Sequence, residues 1–150
     1  MIKIPFSNLP STTTPINDTN LNDLQDNVED AINGIIDSGS NANGNYIKYV
    51  DGTMICTGAY ELPSGHKNFN KPYGSVYYTD LTETISFPMS FISAPNIVPS
   101  FYVQGGVGAG LTIRSAPTTS QFAVYPHYAN SFNFESSTLK IYYIAIGRWK

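Results

Sequence analysis

A chain of 150 residues, 41% of them hydrophobic, has the size of one domain and enough apolar mass to bury a core unaided. Its charged fraction is 13%, about half the ~25% usual for globular domains, and its net charge is −3. That balance excludes a nucleic-acid binder, which needs a basic face to displace counterions, and the 11 Tyr and 8 Phe exclude a disordered chain.

Solubility comes instead from Ser, Thr and Asn, together 42 residues. No apolar run approaches the ~20 residues of a membrane-spanning helix, so membrane insertion is not expected. The opening Met1-Ile-Lys-Ile-Pro-Phe6 has no sustained apolar stretch, so no secretory signal is expected either. Cys56 is the only cysteine and sits beside Met54 and Ile55, which predicts a buried, unreactive thiol in a protein made in a reducing cytoplasm.

In chain order, a turn-rich lead from Pro5 to Pro15 precedes a helical pattern. Leu21, Leu24, Val28, Ala31 and Ile35 recur at spacings of 3, 4, 3 and 4, an a/d stripe on a helix of about five turns, with Asp18 or Thr19 as its cap and Gly34 or Gly39 as its stop. Between Asn17 and Asp37 stand six acids and no base, whereas the rest of the chain carries eight bases and five acids. Two heptads are too few to hold a coiled coil, and like charges repel in a parallel bundle, so this helix needs β heads or another protein's surface to keep it in place. Aromatics are absent from Ser7 to Asn45 and dense from Tyr46 onward. The expected organisation is therefore an attachment segment and helix at 1–37, a hinge at 38–45 and a β domain at 46–150.

Within that domain, Asn45–Val50 and Thr53–Thr57 flank Asp51-Gly52, which predicts a hairpin with a type I′ turn. Thr82–Phe87 alternates Glu83, Ile85 and Phe87 against Thr82, Thr84 and Ser86. Asn96–Gln104 places Ile97, Phe101 and Val103 on one face, with Pro99 marking an edge or bulge. Leu111–Arg114 and Gln121–Tyr125 flank the turn Ser115–Ser120. Thr138–Trp149 is apolar or aromatic on both faces, the pattern of a strand that is central or pressed against a neighbouring subunit. Short strands between Gly, Pro, Asn and Ser indicate an antiparallel β-sandwich.

Three regions carry a resemblance. Thr14–Asp23 followed by Val28–Ile32 resembles the opening of many bacteriophage tail and baseplate proteins, and Gly44–Gly58 resembles the hairpin that opens the heads of phage tail fibres and receptor-binding proteins. Ile85–Pro88, Phe91, Ala94–Val98 and Tyr142–Trp149 are similar to phage fibre tips of H-type-lectin-like fold. The resemblance implies a mainly β protein: a homotrimer of six- or seven-stranded antiparallel sandwiches behind one short helix, located in the virion tail. It further implies partners of two kinds, other tail or baseplate proteins held by the N-terminal segment and host cell-wall polysaccharide bound by the head. Where sugar-binding lectins of that type often carry Trp, this chain has Tyr143.

Catalysis, a metal and a cofactor are not expected. A glycosidase needs two carboxyls facing one cleft. The β domain offers only Asp51, explained by its turn, Glu61 and Glu83, which read as solvated strand ends, Asp80 and Glu135. No Gly-x-Ser-x-Gly elbow surrounds a serine, and His66 and His127 lie 61 residues apart without supporting cysteines. Gly105–Gly110 lacks the Lys-Ser/Thr of a phosphate loop and reads as a flexible connection. A sugar surface needs flat aromatics beside planar or neutral hydrogen-bonding groups, and the candidates are Arg114, Tyr125, His127, Tyr128, Asn130 and Asn133. The competing reading puts the 125–133 tyrosines at a trimer interface, for which Leu21, Leu24, Val28, Ile35, Tyr142 and Tyr143 are the other candidates. The alternative function is a purely structural tail or baseplate component whose head contacts other tail proteins and touches no sugar.

Overall fold

The computed structural model describes residues 18–79 and 81–150. The turn-rich lead, the Thr14-Pro15 motif and Asp80 lie outside the described residues. Helix α1 (Asp18–Asn33) carries Leu21, Leu24 and Val28 on one stripe, all exposed to solvent. A Gln25–Glu29 hydrogen bond of 3.1 Å supports its polar side at the i, i+4 spacing. The helix stops before Gly34 (φ 59°), so Ile35, expected as its last stripe position, instead opens a strand.

That strand corrects the expected hinge. Strand β1 (Ile35–Asn41) turns through Ala42-Asn43 and pairs antiparallel with β2 (Gly44–Tyr49), so residues 38–45 form a hairpin rather than a linker. Ser38-Gly39-Ser40 has little strand propensity of its own; cross-strand contacts with β2 override it. Lys48 Nζ donates to Asp37 Oδ2 at 2.9 Å and holds that carboxyl below its ordinary range. At the turn, Asn43 N–H bonds Asn41 Oδ1 at 2.9 Å.

The next hairpin, into β3 (Thr53–Glu61), forms where expected but with a three-residue loop in place of a two-residue type I′ turn. Gly52 N–H donates to Tyr49 O at 3.0 Å, and Gly52 takes the left-handed conformation (φ 91°) that only glycine adopts without strain. Asp51 is thereby left to cap the turn, accepting from Thr53 N–H at 2.7 Å and from Thr53 Oγ1 at 3.0 Å. The chain continues through β4 (Asn68–Phe69), β5 (Lys71–Tyr73), β6 (Val76–Tyr78), β7 (Glu83–Ser86), β8 (Asn96–Val103), β9 (Ala109–Ile113), β10 (Gln121–Tyr128), β11 (Phe132–Asn133) and β12 (Leu139–Arg148).

The strands form three antiparallel sheets. The first has the order β1-β2-β3-β12-β8. In the second, β10 pairs with β6 and β7 along one edge and with β9 along the other, and β5 extends it beyond β6. β11 and β4 make a two-stranded ribbon. The molecule is mainly β with one short helix, as the sequence predicts, although it has more strands than the six or seven that the resemblance implies. β12 is central in the first sheet, and Pro99 lies on the edge strand β8, where a missing N–H costs no ladder bond.

The two large sheets face each other across the core. Met54 and Cys56 of β3 and Ile141, Tyr143 and Ala145 of β12 meet Ile85 of β7 and Phe122 and Val124 of β10. Burial pushes the Cys56 thiol up to about 11, in line with the inert thiol expected from its neighbours. The alternation of β12 separates two tyrosines that the sequence reading placed together at an interface. Tyr142 points outward and is 44% exposed, whereas Tyr143 points inward and is 3% exposed. The Tyr143 ring lies 5.3 Å from that of Phe122, and its hydroxyl, pushed up to about 12 by burial, donates to Asn43 O at 2.9 Å. Tyr143 is a core residue. Trp149 also packs, its Nε1 donating to Tyr49 O at 2.9 Å.

Candidate ligand-binding face

Period-two alternation on β10 turns Phe122, Val124, Pro126 and Tyr128 into the core and leaves Tyr125 and His127 on the outer side of the second sheet. Register then fixes their neighbours. His127 stands opposite Tyr78 of β6 and Gly110 of β9, Tyr125 opposite Thr112, and Lys71 of β5 opposite Tyr78. Arg114 follows β9 directly, its N–H donating to Ala123 O at 2.9 Å.

The aromatic rings form a connected row. Tyr73 and Tyr78 meet edge to face with centroids 6.1 Å apart, Tyr78 and Tyr125 likewise at 5.9 Å, and Tyr78 and His127 at 5.5 Å with a tilt of 47°. The Arg114 guanidinium lies over the Tyr125 ring, 5.7 Å from its centroid. Lys71, Pro72, Tyr73, Tyr78 and Tyr125 line an open groove of about 400 Å³, and Tyr73 at its edge is 78% exposed. The His127 ring lies so close over β9 that a Cβ at Gly110 would stand 2.4 Å from Nε2, so any larger residue there would have to displace the ring. His127 Nδ1 is buried without a hydrogen-bond partner among the described residues.

Chemically, the face offers flat rings that accept the apolar C–H side of a ligand, phenol hydroxyls at their rims, and a planar cation. Of the six sugar candidates, Arg114, Tyr125 and His127 come together here. Tyr128 does not: its ring is buried against Phe134 at 4.9 Å, and its hydroxyl accepts from Val107 N–H at 3.3 Å, which ties down the Gly105–Gly110 loop. Asn130 and Asn133 lie past the end of β10 and do not line the groove; Asn133 Oδ1 accepts from Glu135 N–H at 2.9 Å and shapes the following turn. The groove residues Lys71, Pro72, Tyr73 and Tyr78 went unread in the sequence. The signal was Lys71/Tyr73 and Val76/Tyr78 alternating on either side of Gly74-Ser75.

Glu83 also differs from expectation. It is 1% exposed rather than solvated, because it shares the inward face of β7 with Ile85. Its carboxylate accepts from Tyr60 Oη at 2.8 Å and meets His66 Nδ1 at 2.7 Å. Burial and this carboxylate together push the Tyr60 hydroxyl up to about 12. Both Glu83 oxygens are thus satisfied, as a buried carboxylate requires.

Among the proposed interface residues, Leu21, Leu24, Val28 and Tyr142 are exposed, Ile35 is exposed at the start of β1, and only Tyr143 is removed. Beside Tyr142, Ile144 and Ile146 of β12 and Val98 and Tyr102 of β8 also face outward, so the first sheet presents an apolar outer face.

No protein-family model and no curated protein matches the chain. Among solved structures it is similar to the C-terminal part of the R1 pyocin fibre of P. aeruginosa, with a TM-score of 0.53 and 15% identity. The match covers 98% of this chain and 41% of that one, so the chain spans well under half the length of the fibre fragment it resembles. The fold is tail-fibre-like.

Proposed function

We propose that the protein is a tail-fibre or baseplate receptor-binding component of a phage or phage-like tail, and that its head adsorbs to host cell-surface polysaccharide. The observation that carries this reading is the Tyr73–Tyr78–Tyr125 row flanked by Arg114 on an exposed sheet face, set in a fold of tail-fibre type. The head corresponds to the H-type-lectin-like fibre tip, and the acidic helix α1 is the segment that attaches it to other tail proteins. The chain acts as a homotrimer whose heads meet through the apolar face around Tyr142, Ile144 and Ile146. It holds its ligand without cleaving it. One shallow site of this kind binds weakly, and three linked sites raise the apparent affinity by ~10²–10⁴.

The test pairs light scattering with adsorption. Tyr125→Ala is expected to keep the assembled mass near three times 16.4 kDa and to lose binding to host cells or their extracted polysaccharide. Unchanged adsorption removes the sugar face and leaves a structural tail component. Loss of the trimer in this variant makes the tyrosine row an interface instead.

A further inference from the structure

The proposed saccharide reading can be carried one step further, to the charge of the ligand. Most basic side chains of the β domain are already engaged. Lys48 pairs with Asp37 at 2.9 Å, Lys140 with Glu61 at 3.6 Å, Lys67 Nζ donates to Ser137 O at 3.0 Å, and Arg148 Nη2 donates to Asp51 O at 2.6 Å. Arg114 is different. Its guanidinium has the Tyr125 ring beneath it and, among the described residues, no carboxylate or carbonyl partner. None of the described carboxylates lines the groove beside it.

The Arg114 fork stands 5.7 Å from the Tyr125 ring centroid, and its planar guanidinium carries five N–H donors, none of them given to a carboxylate or carbonyl among the described residues. A sugar ring resting on the neighbouring tyrosines brings a substituent to that fork, and the group that fits it is a planar or tetrahedral oxyanion held by two parallel hydrogen bonds. We infer that the face takes an acidic saccharide, with the carboxylate or phosphate of the sugar on Arg114 and its apolar side on Tyr125 and the tyrosine row. This rests on the saccharide reading above.

The experiment measures binding of the full-length protein to an arrayed panel of acidic and neutral polysaccharides. Oligogalacturonate, its neutral methyl ester and phosphomannan are followed individually by calorimetry. Preference for the acidic polymers is expected, weakening as salt rises, with Arg114→Gln losing roughly tenfold to a hundredfold and Arg114→Lys falling in between because it keeps the charge but not the fork. Oligogalacturonate preferred over its ester identifies a carboxylate; phosphomannan preferred over both identifies a phosphate. Equal binding of ester and acid that Tyr125→Ala abolishes and Arg114→Gln leaves intact overturns the anionic inference and keeps the saccharide reading. No binding anywhere on the panel overturns both.

Discussion

The two outer faces of the sandwich are built by the same strand geometry and end with opposite chemistry. On the first sheet the middle of the outward face of β12 and β8 is Tyr142, Ile144, Ile146, Val98 and Tyr102, mostly aliphatic, and the cations of that face, Lys140 and Arg148, stand at the two ends of β12, engaged by Glu61 and by Asp51 O. On the second sheet the corresponding positions are Tyr73, Tyr78, Tyr125 and His127, with Lys71 and Arg114 beside them. Aliphatic groups gain only by leaving water, and a contiguous face of them marks a surface that another protein covers. Phenols and a guanidinium stay solvated at little cost and can trade water for a polar ligand. One sandwich thus carries a side suited to permanent contact and a side suited to reversible contact, and outward-facing hydrophobicity separates them where aromatic content does not.

The strongest way to break this comparison is to charge the aliphatic face. Ile144→Asp is expected to abolish assembly, dropping the mass seen by light scattering to that of a monomer, while circular dichroism stays native. A trimer that survives the change removes the first sheet from the interface. A second substitution pair sharpens the contrast within one strand. Tyr143→Ala opens a cavity among Phe87, Phe122 and the β3 core and is expected to cost about 3 kcal/mol of unfolding free energy, whereas Tyr142→Ala is expected to change the monomer's stability by less than about 0.5 kcal/mol. Urea melts of the two variants on the Ile144→Asp background check this, and equal losses would contradict the inward and outward assignment.

The smallest expected effect touches both sides of the sandwich. Asp37, bonded to Lys48 at the edge of the first sheet, and Glu135, which accepts from Gly65 N–H at 3.0 Å and Lys67 N–H at 3.2 Å beside the ribbon, both have carboxyl pKa values below the ordinary 3.8 and 4.5. A depressed folded-state value means stability that is complete above the ordinary pKa and is lost as pH falls through the folded one. Thermal midpoints are therefore expected to hold steady down to about pH 4.5 and to decline modestly below it, with Glu135→Gln flattening part of that decline.

Much of this architecture was legible from period and turn residues. The stripe of α1, the Asp51-Gly52 hairpin and the alternations of β7 and β12 all fell within a few residues of their places, because long periodic runs carry their own signal. The pieces that were not legible are short or locally ambiguous. Ser38-Gly39-Ser40 has no strand propensity and becomes a strand through Tyr46 and Lys48 on its partner. β5 and β6 have three residues each, with Pro72 inside one, so the alternation that carries the tyrosines of the groove is only one step long on either side of Gly74-Ser75 and too short to stand out. Tyr128 and Tyr125 differ only in parity along β10, and aromatic composition cannot report parity. Glu83 shows the opposite failure. The alternation put it on the face of Ile85 and Phe87, and its chemistry argued it back into solvent; parity was the better guide.

The position of β12 has a consequence for how the molecule is made. It lies between β3 and β8, and its ladder joins Thr53 to Arg148 and Asn96 to Ile146, so the middle of the first sheet closes through residues far apart along the chain. The β1–β2–β3 meander is local and can form early, but until β12 arrives both β3 and β8 expose an unpaired edge. Copies of the chain that meet before that step have each other's strands to accept. Correct subunits therefore require that folding outruns encounter, and a slow last strand makes yield fall with protein concentration during refolding.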